Sequence, residues 1–221
     1  MPFDQTLPPN KSFRLRGVRI TPAQEKALST YWEKYSVPSN TVLDITTLFS
    51  GFDKTIVEIG TGMGEATWQI ANTFPEFGFL CFEVHKPGLG ALLAKIAELE
   101  LENIKIVEAD ARLFLERNLA NNVVDGIHLY FPDPWPKLKH WKRRIVQDEF
   151  VQLVHQKLKP KGYIHIATDW EEYGNWIKKK FDTPFFKGGE IEKPEFRPLT
   201  KFESQGIRKG HKVTDLWYVK N

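Results

Sequence analysis

Three acidic residues sit where apolar runs end. Glu58 lies on the run Thr55–Ile59 just ahead of Gly60-Thr61-Gly62-Met63-Gly64, Glu83 is near the end of Gly78–Val84, and Asp110 comes after Ile104–Val107. Glycines after a strand let the backbone approach a ligand closely and bend into a helix. An acid 19 residues beyond Gly64 is placed to accept both hydroxyl protons of a ribose. The spacing is G-x-G-x-G, not the G-x-G-x-x-G that seats a pyrophosphate on a helix N-terminus. Glu58 and Glu65 beside the turn would repel a diphosphate and favour a cationic, methionine-type ligand. An NAD-dependent oxidoreductase is the weakest reading for that reason.

A second concentration of chemistry runs from Tyr130 to Arg144, YFPDPWPKLKHWKRR. Prolines at 132, 134 and 136 fix φ and withhold ladder donors, so the apolar run Val123–Phe131 must stop there. The loop then presents one carboxylate, Asp133, one large aromatic, Trp135, and five cations, Lys137, Lys139, Lys142, Arg143 and Arg144, with no acid among them after Asp133. This suits an anionic polymer carrying flat bases. Trp135 can stack on a base or fill the core of the loop, and the cations can hold phosphates without reading sequence. Lys11, Arg14, Arg16 and Arg19 form another acid-free cluster. Without these two groups the chain has more acids than cations, so its net charge of +3 comes from two patches on an acidic body. That distribution fits a nucleic-acid partner.

Elements must bring these residues together. Thr21-Pro22-Ala23-Gln24 reads as a capping box that opens a helix over about 22–35. From Thr55 strand and helix patterns alternate. Strands are expected at 55–59, 78–84, 104–107, 123–131 and 163–167, with helices after the glycine turn, near 87–101, through Val146–Leu158 and on to about Lys180. Such units predict an α/β fold whose parallel sheet is covered on both faces. A last strand is expected at 213–219, and residues 183–212 show no clean period, which is long for a structureless loop and marks a functional segment. Thr168-Asp169 before a helix has the form of a cap. At 221 residues the chain can bury one substantial core. No apolar run approaches the roughly 20 residues that span a bilayer, and the N-terminus lacks a signal-peptide layout. The single cysteine, Cys81, excludes an internal disulfide and a cysteine-based zinc site, and the six histidines lack ligand spacing. A cytoplasmic protein without a metal is expected.

The segments VEIGTGMGE, FEVHKPGLG, EADAR, FPDPWPKLKHWKRR, TDW and TKFESQGIRKGHKVTDLWY, in this order, resemble the bacterial tRNA (guanine-N7)-methyltransferases, class I S-adenosylmethionine-dependent enzymes. The resemblance covers about 55–219, with the basic arm and helix before it. It implies a Rossmann-like, mainly parallel seven-stranded sheet, S-adenosylmethionine as cofactor, tRNA as partner, and methylation of guanine N7 in the tRNA variable loop. Position by position, it implies cofactor contacts at Glu58, Gly60, Gly62, Glu83, Asp110 and Asp133, with Asp133 also in the active site. Substrate contacts are implied at Lys137, Asp169, Thr200, Lys201, Phe202 and Glu203, and RNA contacts at Lys139, His140, Trp141, Lys142, Arg143 and Arg144. Gln205 stands where many members have arginine. The expected organisation is a basic arm and packing helix over 1–40 and a methyltransferase domain over 41–221.

Guanine N7 carries an exposed lone pair, so methylating it requires no base, and alignment and electrostatics can carry the catalysis. Asp133 can balance the charge of a purine becoming cationic or accept its N1 and N2 protons. Two other readings stand beside this one. Pro-Asp-Pro-Trp is reminiscent of the Asp/Asn-Pro-Pro-aromatic turn of enzymes that methylate exocyclic amino groups. A catalytically silent RNA-binding protein could also keep the fold. Monomer and homodimer are both open.

Overall fold

The computed structural model describes residues 11–13 and 19–221. Helix α1 (Pro22–Tyr35) begins with the expected capping box, in which the Thr21 side chain accepts from Gln24 N and the Gln24 side chain accepts from Thr21 N. Strand and helix then alternate through α2 (Ile45–Leu48), β1 (Lys54–Ile59), α3 (Glu65–Thr73), β2 (Phe77–Glu83), α4 (Lys86–Glu98), β3 (Ile104–Glu108), α5 (Ala111–Asn118) and β4 (Val124–Tyr130). A 3-10 helix (Leu138–Arg143), α6 (Asp148–Lys157), β5 (Leu158–Thr168), α7 (Glu171–Phe181), β6 (Phe186–Ile191), α8 (Lys201–Arg208) and β7 (Thr214–Lys220) complete the chain.

The seven strands form one sheet in the order β3-β2-β1-β4-β5-β7-β6. Pairs among β1 to β5 are parallel, and β7 lies antiparallel between β5 and β6. Core forms on both faces. One layer joins the sheet to Phe114, Phe150, Val154, Tyr173 and Ile177 of α5, α6 and α7. The other joins it to Ala27, Tyr35, Ile70, Leu89, Leu92 and Ile96 of α1, α3 and α4, with Cys81 buried among them. The segment after α1 is sewn to the sheet edge, since Val37 N donates to Ile106 O at 2.8 Å.

The segment 183–212 departs from the expectation of no regular structure, because it holds β6 and α8. β6 is an outer strand in which only Phe186 is buried, and Gly188-Gly189 break its alternation. α8 is short and leaves Phe202 and Ile207 exposed, which hides its period. Helices α2 and α5 are likewise additional to the expected elements. Of the N-terminal basic cluster, Lys11 and Arg19 are exposed, while Arg14 and Arg16 lie outside the described residues.

Candidate active site

The strand order reverses between β1 and β4, and in open α/β sheets ligands bind outside the strand ends at such a point. A cleft of about 960 Å³ opens there. It is lined together by Glu58, Gly60, Gly62, Glu83, Asp110 and Asp133, by Thr200, Lys201 and Phe202 from the α8 end, and by Ser12 and Phe13. Gly60 and Gly62 have φ of +76° and +57°, a left-handed backbone that disfavours side chains, and no atom lies within 4 Å of where a Cβ would stand. The turn is therefore open for a ligand to approach its backbone.

Glu83 braces that turn. Its Oε2 accepts from Gly62 N at 2.7 Å and its Oε1 accepts from Val84 N and His85 N at 2.7 and 2.9 Å. Glu58 is buried, and Thr67 Oγ1 donates to its Oε1 at 2.9 Å. Burial pushes the Glu58 carboxyl up to about 7, against the Thr67 hydrogen bond and with help from the negative charge of Glu83. Asp110 caps α5 by accepting from Arg112 N at 2.9 Å. Glu58 Oε2 and Asp110 Oδ2 are buried with no hydrogen-bond partner among the described residues. Buried polar atoms are nearly always bonded, so two carboxylate oxygens left over beside an open glycine turn fit a ligand rich in donors and carrying positive charge.

The proline loop after β4 is wound tightly. Phe131 and Trp135 have φ of 51° and 44°, and left-handed backbone at bulky residues costs of order 1–3 kcal/mol each. Arg144 holds the loop in this shape. Its Nε donates to Pro134 O at 2.9 Å, and its Nη1 and Nη2 donate to both oxygens of Glu172 on α7 at 3.0 and 2.6 Å. Its guanidinium lies against the rings of Trp141, Tyr173 and Trp176. This corrects the expectation that Arg144 contacts RNA: the side chain is fully buried and its donors are engaged inside the protein. Its neighbours Ile145 and Val146 are buried too, ahead of α6.

Trp135 takes the core alternative. It is 2% exposed, its indole N–H donates to Ser12 O at 3.2 Å, and Arg143 covers its ring at 4.8 Å. Lys137, Lys139, Lys142 and Arg143 are exposed and form no ion pair among the described residues, while His140 and Trp141 are half-buried against Trp135 and Trp176. Asp133 is half-buried on the cleft wall and makes no hydrogen bond or ion pair among the described residues.

Helix α8 closes the opposite side. Thr200 caps it by accepting from Glu203 N at 3.1 Å, Lys201 N donates to Glu65 Oε2 at 2.6 Å, and the Phe202 ring lies 5.3 Å from Phe131. The side chain of Glu203 turns away from the cleft, which corrects its expected substrate contact. It is buried and receives Nη1 and Nη2 of Arg197 at 2.7 and 2.9 Å. Arg197 also donates to both oxygens of Asp215, which is bonded to His165 Nε2, and His165 Nδ1 meets Tyr130 Oη at 3.1 Å. Burial holds His165 below the usual histidine range. The neutral ring then donates from Nε2 to Asp215 and accepts from Tyr130 at Nδ1. Sequence reasoning missed Arg197, a lone cation in an aperiodic stretch. Asp169 does not cap α7, whose N-cap is Trp170; its carboxylate is bonded to His211 Nδ1 at 3.0 Å. Among the described residues no three His, Cys, Asp or Glu side chains are grouped to hold a metal.

Comparison with known proteins adds to this geometry. A family model described as a putative methyltransferase matches residues 53–216. The tRNA (guanine-N(7)-)-methyltransferase of Nitrosospira multiformis is 46% identical over 217 residues, spanning 96% of this chain and 95% of the relative. The protein of the same name from Nitrosomonas eutropha is 41% identical over 218 residues, spanning 96% and 97%. Among solved structures, the 16S rRNA methyltransferase KamB superposes with a TM-score of 0.60 at 18% identity, covering 80% of this chain and 93% of that one. A putative methyltransferase from Streptococcus mutans in complex with SAH gives 0.52 at 9% identity, covering 82% and 99%. At such identities the structural likeness speaks for the fold.

Proposed function

This chain belongs to the tRNA (guanine-N7)-methyltransferase family, and from that premise we infer that it transfers a methyl group from S-adenosylmethionine to guanine N7 in the variable loop of tRNA. The observation that carries the reading is the gathering of Glu58, Glu83, Asp110 and Asp133 on one cleft, with the exposed cations Lys137, Lys139, Lys142 and Arg143 next along the chain after Asp133. Acids alone would serve any cationic cofactor, and cations alone any polyanion. Both at one strand-end cleft fit a charged methyl donor and a nucleic acid.

S-adenosylmethionine supplies an electrophilic methyl group on a cationic sulfonium. Gly60 and Gly62 give it room against the backbone. Glu83, already fixed by three N–H donors, offers its remaining lone pairs to ribose hydroxyls. Asp110 offers its unused oxygen to donors on the base side, and Glu58 offers a carboxylate whose ionisation a neighbouring cation favours. Transfer to guanine N7 would form the N7–methyl bond as the sulfonium S–methyl bond breaks and S-adenosylhomocysteine leaves; it needs no general base, so the protein's part would be to align the purine and steady its growing positive charge. Asp133 fills that role because its carboxylate makes no hydrogen bond or ion pair among the described residues and is held by a loop braced through Arg144. Lys137, with Thr200 to Phe202, frames the entrance for the nucleotide.

Residues 1–40 act in this reading as a basic arm and packing helix on a methyltransferase domain spanning 41–221. Among the described residues no helix is long and apolar enough to cross a membrane. In this reading the protein works in the cytoplasm, where it would meet a tRNA substrate. The test is incubation with methyl-labelled S-adenosylmethionine and unmodified tRNA, and then nucleoside analysis. Label in N7-methylguanosine supports the reading. Label on an exocyclic amino group, or none on tRNA, overturns it.

A further inference from the structure

Helix α8 breaks two rules that a purely structural surface helix obeys. Lys201 sits at its first position, where the helix dipole disfavours a cation. Phe202 and Ile207 remain 55% and 49% exposed. The outward positions Lys201, Gln205 and Arg208 have i, i+4, i+7 spacing, so they form one stripe along an exposed face. Lys209 continues it past the helix end, and Arg208 and Lys209 form no ion pair among the described residues. The one acid in the helix, Glu203, is turned inward and engaged by Arg197. Apart from Glu65, whose carboxylate accepts from Lys201 N at the start of the helix, the exposed face is therefore cationic.

The helix is also fixed rigidly across the ligand end of the sheet. Lys201 N is tied to Glu65 beside the glycine turn, Glu203 is tied to Arg197, and His211 is tied to Asp169 at the end of β5. Gly206 packs so closely that a Cβ there would stand 3.1 Å from Asp169 Oδ2. Three anchors hold the helix with its first turn at the cleft, where Thr200, Lys201 and Phe202 line it and Phe202 meets Phe131 of the loop that bears Asp133. A dipole-disfavoured lysine and exposed apolar side chains on so firmly held a helix are local costs, and such costs concentrate at functional surfaces.

We propose that the outer face of α8, formed by Lys201, Gln205 and Arg208 and extended by Lys209, is a second RNA-contacting ridge that holds tRNA phosphates across the cleft from Lys139, Lys142 and Arg143. Two cationic rims, one on each side of the cleft, fix the orientation of the RNA as well as its affinity, because phosphate contacts on both sides set the register of the reactive nucleotide. Gln205 is the one uncharged position in the stripe and can hydrogen-bond a phosphate without releasing a counterion.

This proposal rests on tRNA being the substrate, and the parent protein's methylation of tRNA tests that premise separately. Affinity for unmodified tRNA is measured over a salt series for the parent, for the Arg208→Ala/Lys209→Ala double variant and for Gln205→Arg. S-adenosylmethionine affinity and the melting temperature report folding. Each phosphate contact contributes about 0.7–0.9 to the slope of log affinity against log salt. The double variant should therefore flatten the slope by about 1.4–1.8, and Gln205→Arg should steepen it by about 0.7–0.9, with cofactor affinity at the parental level in both. A folded double variant with the parental slope overturns the ridge, while tRNA methylation by the parent keeps the function intact. Should the double variant fold poorly, Gln205→Arg decides alone, and a slope no steeper than the parent's overturns the proposal.

Discussion

Replacing Glu58 by glutamine should stabilise the cofactor-free protein above neutral pH and weaken its hold on a cationic cofactor. Burial pushes the Glu58 carboxyl from 4.5 up to about 7, with Thr67 opposing and Glu83 adding to the shift. Below about pH 4.5 the group is protonated in the folded and the unfolded chain, so it contributes no pH dependence. Between there and about 7 the folded chain keeps a proton that the unfolded chain has released, and stability falls as pH rises. Above that range both states are ionised and the full penalty remains. At about 1.4 kcal/mol per pH unit the window corresponds to about 3 kcal/mol. Glutamine keeps the shape, accepts the Thr67 hydroxyl through its carbonyl and carries no such penalty. Urea unfolding of both proteins at about pH 5 and about pH 8 should show the variant gaining about 2.5 kcal/mol on the parent across that interval. Differencing the two proteins cancels every other titrating group. Calorimetry should show the parent's S-adenosylmethionine affinity rising through about pH 7, with proton release on the acid side, and the variant's staying flat. Stability curves that run parallel from acid to alkaline pH would refute the placement of this carboxyl as a proton-bearing wall of the cleft.

The same geometry sets the outcome of other substitutions. Glu83→Gln sets an amide N–H2 against one of the three backbone donors its carboxylate now receives. Cofactor affinity should fall about ten- to a hundredfold, as when a hydrogen bond to a charged group is removed, and parental affinity in calorimetry would remove Glu83 from the site. Neutralising Lys139, Lys142 and Arg143 should flatten the salt dependence of tRNA binding by about 0.7–0.9 for each phosphate no longer held. Arg144→Ala should instead lower stability in denaturant titration by about 2–3 kcal/mol, below the usual range for a broken buried pair because Glu172 is 46% exposed. An unchanged unfolding midpoint would refute the clamp. Asp133→Asn should slow single-turnover methyl transfer on the order of a hundredfold at saturating tRNA and cofactor, and a parental rate there would reduce Asp133 to scaffold.

Much of the fold and the acidic wall of the cleft was legible in the chain itself, because their signals are local. Apolar period separates β1 to β5 from the helices between them other than α5, Thr21 and Gln24 carry both halves of a capping box, and Gly60 and Gly62 announce a turn that needs positive φ. Glu58, Glu83 and Asp110 could be placed on one cleft because a parallel sheet puts successive strand ends at the same edge. What the sequence did not decide was the direction of side chains in a run of like charge. Lys142, Arg143 and Arg144 read identically as basic residues, yet only Arg144 turns inward, because Glu172 arrives from α7 and Pro134 O from the loop to satisfy it. Glu203 is an acid of the kind that faces a substrate, and tertiary contact turned it to Arg197 instead, while Asp169 is paired with His211. Those partners are brought together by packing, not by spacing. An ion pair forms wherever folding leaves two opposite charges within reach and out of water, and no local pattern records which partner will arrive.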